Sequence, residues 1–393
     1  MLPHATTTIA KPLGFLAYGF LALAALLIFL PPTANAAEPA PIIIGACFAK
    51  TGSGALENAP NFRVAQLAAK DINDSGGVLG RPLKILEFDT ESTPIGARQA
   101  GLAALDAGVV AVVGPSWSSQ GIPLAKVLQN AGIPMIGPTT TAPELTAIGN
   151  YIFRACYTDA SQAEALASFA RHDLQAKRVA VMTIAGDVYS EGLSSTFIKR
   201  FTEMGGTLAV QSRYLEDSMD YTKQVADIAA SMPDLVLASG FTRDSGLLLK
   251  QARKAGFAMP FIGGDGWSPS ERIHRINLSE GRNYSSSHWS KDVRSPVNMH
   301  FIQLLRTELG DTVPEYIDAG TPTVFDAVGL VAEAIRRAKS TEPQKIRDAL
   351  ASISDYAGVT GTISFKGSRD PAKPVIILHI TPDGAEFVKA IPP

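Results

Sequence analysis

From residue 41 onward the chain alternates short runs of branched apolar residues with amphipathic stretches, joined by connections of a few residues, and the alternation runs through twice. Ile42-Ile43-Ile44-Gly45 has no polar position, the pattern of a strand buried on both faces. The stretch that follows sets Phe62, Ala65, Ala69 and Ile72 on one stripe at helical spacing and stops at Ser75-Gly76-Gly77. Strands over 83–88, 109–113 and 134–136 then interleave with helices over 97–107 and 120–130. After a strand over 151–154 the rhythm restarts, with strands at 179–184, 207–210, 235–238 and 261–262 and helices at 190–204, 221–231 and 245–255. Strand, helix and strand in succession with short loops call for parallel sheets wound by right-handed crossovers. The expected class is α/β with two doubly wound parallel-sheet lobes, since one core rarely serves a chain of 393 residues. Past Tyr284 come helices near 298–309, 322–338 and 343–351, then strand-like pieces at 361–365 and 375–380. A tail with helices first and strands last can serve both lobes through more than one crossover.

The first residues bear on compartment. Lys11 precedes an uncharged apolar run over 14–30; Pro31 and Pro32 end it, and Ala34-Asn35-Ala36 offers small residues at both positions a signal peptidase reads. The expectation is a signal peptide over 1–36, cleaved after Ala36. The run is nearly long enough to be an uncleaved anchor, but the prolines and the Ala-x-Ala site favour cleavage. The remaining 357 residues (393 − 36) carry 34 basic (35 − 1) and 37 acidic side chains, a net of −3. Such a balance supplies no basic field for nucleic acid or anionic lipid. Two cysteines, Cys47 and Cys156, either pair in an oxidising compartment or are separately buried thiols.

Catalytic and metal templates are missing. The chain has no H-E-x-x-H, C-x-x-C, G-x-x-x-x-G-K-[ST] or G-x-S-x-G. His172, His274, His288, His300 and His379 lack metal-ligand spacing and read as surface residues. Thr51-Gly52-Ser53-Gly54 reads as an ordinary turn rather than a dinucleotide loop. No enzyme activity, cofactor or metal is expected.

Polar residues instead recur at the carboxyl ends of strands, where open α/β sheets bind ligands. After the 109–113 strand, Gly114-Pro115-Ser116-Trp117-Ser118-Ser119-Gln120 leads into a helix, with Ser118 or Ser119 as its N-cap. Free N–H groups at such a helix start suit a carboxylate, although most such serines are plain caps. Thr139, Thr140 and Thr141 follow the next strand and are either carboxylate ligands or turn residues bonding their own backbone. In the second unit Tyr189 stands near a helix start, Phe241 follows one strand, and Asp265 sits between glycines after another. Asp265 either reaches an ammonium group or forms a turn.

The ordered phrases Ala68-Ala69-Lys70-Asp71-Ile72-Asn73 with Gly76-Gly77-Val78-Leu79-Gly80-Arg81, Thr141-Ala142-Pro143-Glu144-Leu145-Thr146, Phe153-Arg154-Ala155-Cys156, Tyr189-Ser190-Glu191-Gly192-Leu193, Gln251-Ala252-Arg253 and Gly263-Gly264-Asp265-Gly266-Trp267 carry a resemblance. Together they resemble the leucine/isoleucine/valine-binding proteins, type I periplasmic solute receptors of branched-chain amino-acid ABC importers. The resemblance runs from about residue 41 to 285 and continues loosely through Thr323-Val324-Phe325-Asp326-Ala327. It implies two lobes on a multi-strand hinge, 37–155 with about 286–355 and 156–285 with about 356–393, closing on an amino acid. It implies a periplasmic monomer that delivers its ligand to a membrane permease.

By position Ser118, Thr139 and Thr141 resemble the family's carboxylate site, and Tyr189, Phe241 and Asp265 its second-lobe residues, with Asp265 facing the ammonium. Two departures stand out. Phe241 lacks the hydroxyl of the usual Tyr, and Glu57 or a neighbour stands where the side-chain pocket usually has an aromatic. A carboxylate there disfavours a purely aliphatic ligand. The alternative is the same receptor fold taking an aromatic carboxylate, an amide or a urea-type solute.

Overall fold

The computed structural model describes residues 1–8, 39–267, 281–310, 320–382 and 384–393. The apolar run at 14–30, the cleavage site at Ala36 and His274 lie outside the described residues. The chain divides after Ala40, and every described helix and strand belongs to the unit from Pro41 to Pro393. No described helix is long and apolar enough to cross a membrane.

The first sheet has the order β2-β1-β3-β4-β5, from β1 (Ile42–Phe48), β2 (Leu83–Asp89), β3 (Ala111–Val113), β4 (Met135–Gly137) and β5 (Ile152–Arg154), all parallel. Strand β1 shows why an unbroken apolar run was needed. Ile42, Ile44, Ala46 and Phe48 enter one core with Phe62 and Val324, while Cys47 enters the opposite core with Ala97 and Leu124. Helix α1 (Ala55–Asp74) covers the first face; α2 (Pro94–Asp106) and α3 (Ser118–Ala131) pack together over the second. Thr93 starts α2 by accepting from Gly96 N, with Pro94 at the first helical position. A short α4 (Glu144–Ala147) precedes β5.

The second sheet is mixed rather than purely parallel. Its order is β14-β13-β10-β9-β8-β6-β7, with β6 (Arg178–Ile184), β7 (Thr207–Tyr214), β8 (Leu235–Ala238), β9 (Phe261–Gly263) and β10 (Asn283–Ser287) parallel. Strands β13 (Val375–Thr381) and β14 (Gly384–Ile391) run antiparallel at one edge. Helices α5 (Asp159–Ser168), α6 (Val188–Glu203), α7 (Thr222–Ser231) and α8 (Thr242–Lys254) belong to this part of the chain. Helix α5 was not expected, because its Ala-rich sequence is buried around most of its girth and shows no amphipathic stripe.

The chain passes between the sheets three times: after β5, after β10, and before β13. Helices α9 (Pro296–Leu309), α10 (Thr321–Ala338) and α11 (Pro343–Ser352) return to the first core, as does the hairpin of β11 (Tyr356–Gly358) and β12 (Gly361–Ile363). Ile363 and Phe365 share a core with Phe48, whereas Val375 and Ile377 join the second-sheet core. The last crossing therefore falls between 365 and 375, later than the boundary near 356 that the sequence suggested. Cys47 and Cys156 are buried, unpaired thiols.

Candidate ligand-binding cleft

In both sheets the strand order reverses beside a central strand, between β1 and β3 in the first and between β6 and β8 in the second. Loops at such a switch point diverge and leave a crevice outside the carboxyl ends of the strands. All seven residues singled out from sequence, Glu57, Ser118, Thr139, Thr141, Tyr189, Phe241 and Asp265, line one cleft between these loops. Asn58, Asn61, Ser116, Trp117, Gly266 and Gly320 complete its lining.

The first lobe contributes a wall of hydroxyls. Trp117, extended at φ −92° and ψ 140°, is the N-cap of α3, so neither Ser118 nor Ser119 caps the helix as expected. Ser118 is the first helical residue, and its Oγ accepts from Ala142 N at 3.2 Å, tying the loop after β3 to the loop after β4. The first N–H groups of α3 have no carbonyl one turn behind them. Thr139 donates its hydroxyl to Ser116 O at 3.1 Å and Thr140 donates to Pro115 O at 2.7 Å, both spending their proton on backbone. Thr141 Oγ1 is buried beside the Asp159 carboxyl and lines the cleft without closing a hydrogen bond to backbone.

The second lobe contributes aromatics and an acid. Asp187 caps α6 by accepting from Ser190 N at 2.8 Å, which sets Tyr189 on the first turn. Tyr189 Oη accepts from Gly266 N at 3.0 Å, an approach that needs Gly264, where a Cβ would lie 2.2 Å from that oxygen. Phe241 stacks between Trp117 and Tyr189, with centroids 4.7 Å and 5.5 Å away. Asp265 N donates to Gln162 Oε1 at 2.6 Å, and Asp265 Oδ2 lies 2.9 Å from His288 Nε2. Its other oxygen, Oδ1, is buried with no protein partner.

The sequence matches the periplasmic binding protein family over residues 41–385. The chain belongs to that family. The Leu/Ile/Val-binding protein BraC3 of Rhizobium johnstonii is 32% identical over 333 residues, covering 84% of this chain and 89% of that one. The solved structure of a leucine binding protein, LivK, from Thermotoga maritima superposes with a TM-score of 0.83 at 26% identity, covering 90% of this chain and 99% of the other. That of the branched-chain amino acid transporter substrate binding protein LivJ from Streptococcus pneumoniae, in complex with isoleucine, gives 0.83 at 25% identity, covering 90% and 100%.

Sequence reasoning missed four residues on which this periplasmic binding protein builds its cleft. Fully buried Arg154 donates from Nη1 to Thr140 O and from Nη2 to Ala142 O, each at 2.8 Å, while its Nε meets Asp370 Oδ1 at 2.6 Å. A planar guanidinium thereby fixes the loop that presents Thr141. Trp117 and Asn61 line the cleft; Asn61 Nδ2 donates to Ser116 Oγ at 3.0 Å, and Asn61 Oδ1 is buried without a partner.

His288 corrects the surface assignment made from sequence. It is buried behind Asp265 with its ring against Tyr157, centroids 4.0 Å apart. The only signal was its place after a serine run, which gave no apolar pattern to mark burial.

The electrostatics favour a cation. Two acids and no base are among the lining residues. Burial, then the proximity of Asp265, pushes the Asp159 carboxyl well above the usual carboxylate range. Burial, again followed by Asp265, raises the Tyr189 hydroxyl. Among the described residues no group of three His, Cys, Asp or Glu side chains is placed to hold a metal.

Proposed function

We propose that this periplasmic binding protein captures an α-amino acid for an ABC importer. The ligand carboxylate meets Ser118, Thr141 and the opening N–H groups of α3; the ammonium meets Asp265; Tyr189 and Phe241 close over it from the second lobe. Charge-assisted hydrogen bonds in a dry cleft hold both ends of the molecule without any covalent step. Hinge closure around the three crossings then presents a shape to the membrane permease. The chain works as a monomer, exported with its leader cut after Ala36. Thr139, with its proton committed to Ser116 O, contributes backbone rather than hydroxyl.

One observation carries the reading. Asp265 Oδ1 is a buried carboxylate oxygen without a protein partner, in a cleft whose facing wall offers hydroxyl and N–H donors. An aromatic carboxylate brings neither a cation nor a donor there, and leaving that oxygen unpaired costs about 1–3 kcal/mol or more; an amide or urea can donate an N–H but brings no charge to match the carboxylate. Thermal-shift measurements with the twenty L-amino acids alongside benzoate, 4-hydroxybenzoate, acetamide and urea test it. Stabilisation by one or more amino acids is expected. Stabilisation by benzoate or urea alone would refute the assignment.

A further inference from the structure

We infer that His288 is a positioning residue for ligand capture: it binds Asp265 Oδ2 as a neutral donor, orients the carboxylate with Oδ1 available to the ligand, and so makes capture weaken in acid. The inference rests on the amino-acid reading only for the identity of the cation that Oδ1 receives.

The geometry specifies the tautomer. His288 Nε2 lies 2.9 Å from Asp265 Oδ2, and the side chains are 0% and 6% exposed. His288 Nδ1 is buried with no hydrogen-bond partner. A neutral imidazole has one donor and one acceptor nitrogen. With Nε2–H donating to the carboxylate, Nδ1 is a bare acceptor; an imidazolium would instead bury an N–H with nothing to receive it, the costlier arrangement. Burial accordingly lowers the imidazole pKa, against the opposing attraction of Asp265. A lysine or arginine in this place would neutralise Asp265 and compete with the ligand. A neutral histidine orients the carboxylate and leaves its charge in place.

The groups packed around the pair do not supply a rival charge. Tyr157, against the imidazole face, and Tyr189, on α6, are held protonated by burial. Asp159, at the start of α5, and the Cys156 thiol are likewise raised by burial. Lys373, before β13, is the nearby cation, and its Nζ donates to Ala155 O at 2.9 Å and to Thr360 Oγ1. Its positive charge disfavours a second one on His288.

The sign follows. Protonating His288 sets a cation against the oxygen pair that should receive the ligand's ammonium, so affinity falls as pH drops through the histidine's depressed pKa. In H288Q an amide N–H can reach Asp265 but cannot ionise. In H288A, Oδ2 loses its donor.

The test measures binding of each of the twenty L-amino acids by calorimetry to wild type, H288Q and H288A between pH 7.5 and pH 4.5, with circular dichroism to verify folding. The best-bound amino acid should lose about tenfold or more in wild type, the equivalent of a one-unit pKa difference between free and bound protein, and clearly less in H288Q. H288A should bind weakly throughout. Equal pH profiles for wild type and H288Q would overturn the inference. A ligand-free arm, nitrogen-15 NMR of the histidines, should find His288 protonated on Nε2 alone at pH 7; an imidazolium there would overturn it as well. If no amino acid binds while the Nε2–H tautomer is observed, the ligand reading fails and the His288–Asp265 arrangement stands.

Discussion

Trp117 and Phe241 stack across the cleft with ring centroids 4.7 Å apart, one at the start of α3 in the first lobe and the other at the start of α8 in the second. Each is the N-cap of its helix, so each ring is carried on a fixed backbone end. The contact spans the gap that hinge motion must open, and Glu57 lines the same cleft. An aromatic pair contributes roughly 0.5–1.5 kcal/mol beyond its buried area. Trp117→Ala should therefore bias the unliganded protein toward an open form and weaken amino-acid affinity about tenfold. Small-angle scattering with and without saturating amino acid checks this: the variant should show a larger change in radius of gyration than wild type.

Asp265→Asn keeps the shape of the side chain and removes its charge. The ligand ammonium then loses a charge-assisted hydrogen bond, an effect of about 1.5–3 kcal/mol or roughly tenfold to a hundredfold in Kd. Calorimetry should find that loss for amino acids. Unchanged affinity would remove Asp265 from the site.

Thr139 and Thr141 look equivalent in sequence and are not equivalent in the fold. Thr139 spends its proton on Ser116 O, whereas Thr141 Oγ1 closes no such bond. Thr141→Val should cost about tenfold or more in affinity, in the range of a hydrogen bond to a charged group, and Thr139→Val clearly less. The reverse order would mean that Thr139 reorients to meet the ligand.

These contrasts show where sequence reading runs out. Strands and the loops after them were legible in outline, because an unbroken run such as Ile42-Ile43-Ile44 marks a strand buried on both faces, although β1 continues past it to Phe48. That placed six of the seven candidate residues on the cleft, and the family resemblance supplied the seventh, Glu57. Strand β10 was not legible. Its Asn283-Tyr284-Ser285-Ser286-Ser287 sequence is buried in part by polar pairing, as in Ser286 Oγ donating to Gln162 Oε1 at 2.5 Å, rather than by apolar pattern. Strand β14 alternates weakly and lies at an exposed edge, where Phe387 remains 40% exposed. His288 and Arg154 act through partners 23 and 216 positions away, which only the topology brings near.

Arg154→Met tests the support behind Thr141. The substitution removes donors from two buried carbonyls and leaves Asp370 without its cation. Breaking one side of a buried ion pair costs about 3–5 kcal/mol, and here less, since Asp370 is 35% exposed. Chemical denaturation should report a loss of roughly 2–4 kcal/mol. Amino-acid affinity should fall together with stability, because the loop carrying Thr141 loses its anchor.

Lys373 gives a pH prediction of definite sign. The residue is buried at the last crossing, and its Nζ donates to Ala155 O and Thr360 Oγ1. Asp326 accepts from Val359 N at 2.6 Å and from Thr360 N at 2.9 Å in the same cluster. Burial lowers the Lys373 ammonium to about 8 from its ordinary 10.5, with Asp326 opposing the shift. Between those two values the unfolded chain holds a proton that the folded chain has released, so this group makes stability rise with pH. Lysine 373 therefore disfavours the fold relative to an unshifted lysine below pH 8 and ceases to do so above about 10.5. Buried tyrosines act in the opposite direction at alkaline pH, so the quantity to measure is the difference between wild type and Lys373→Met. That difference should move in favour of wild type by up to about 3 kcal/mol from pH 8 to 10.5, at 1.36 kcal/mol per unit. Urea denaturation across this interval measures it, and a flat difference would mean that Lys373 stays charged in the fold, its ammonium satisfied by the carbonyl, the hydroxyl and Asp326.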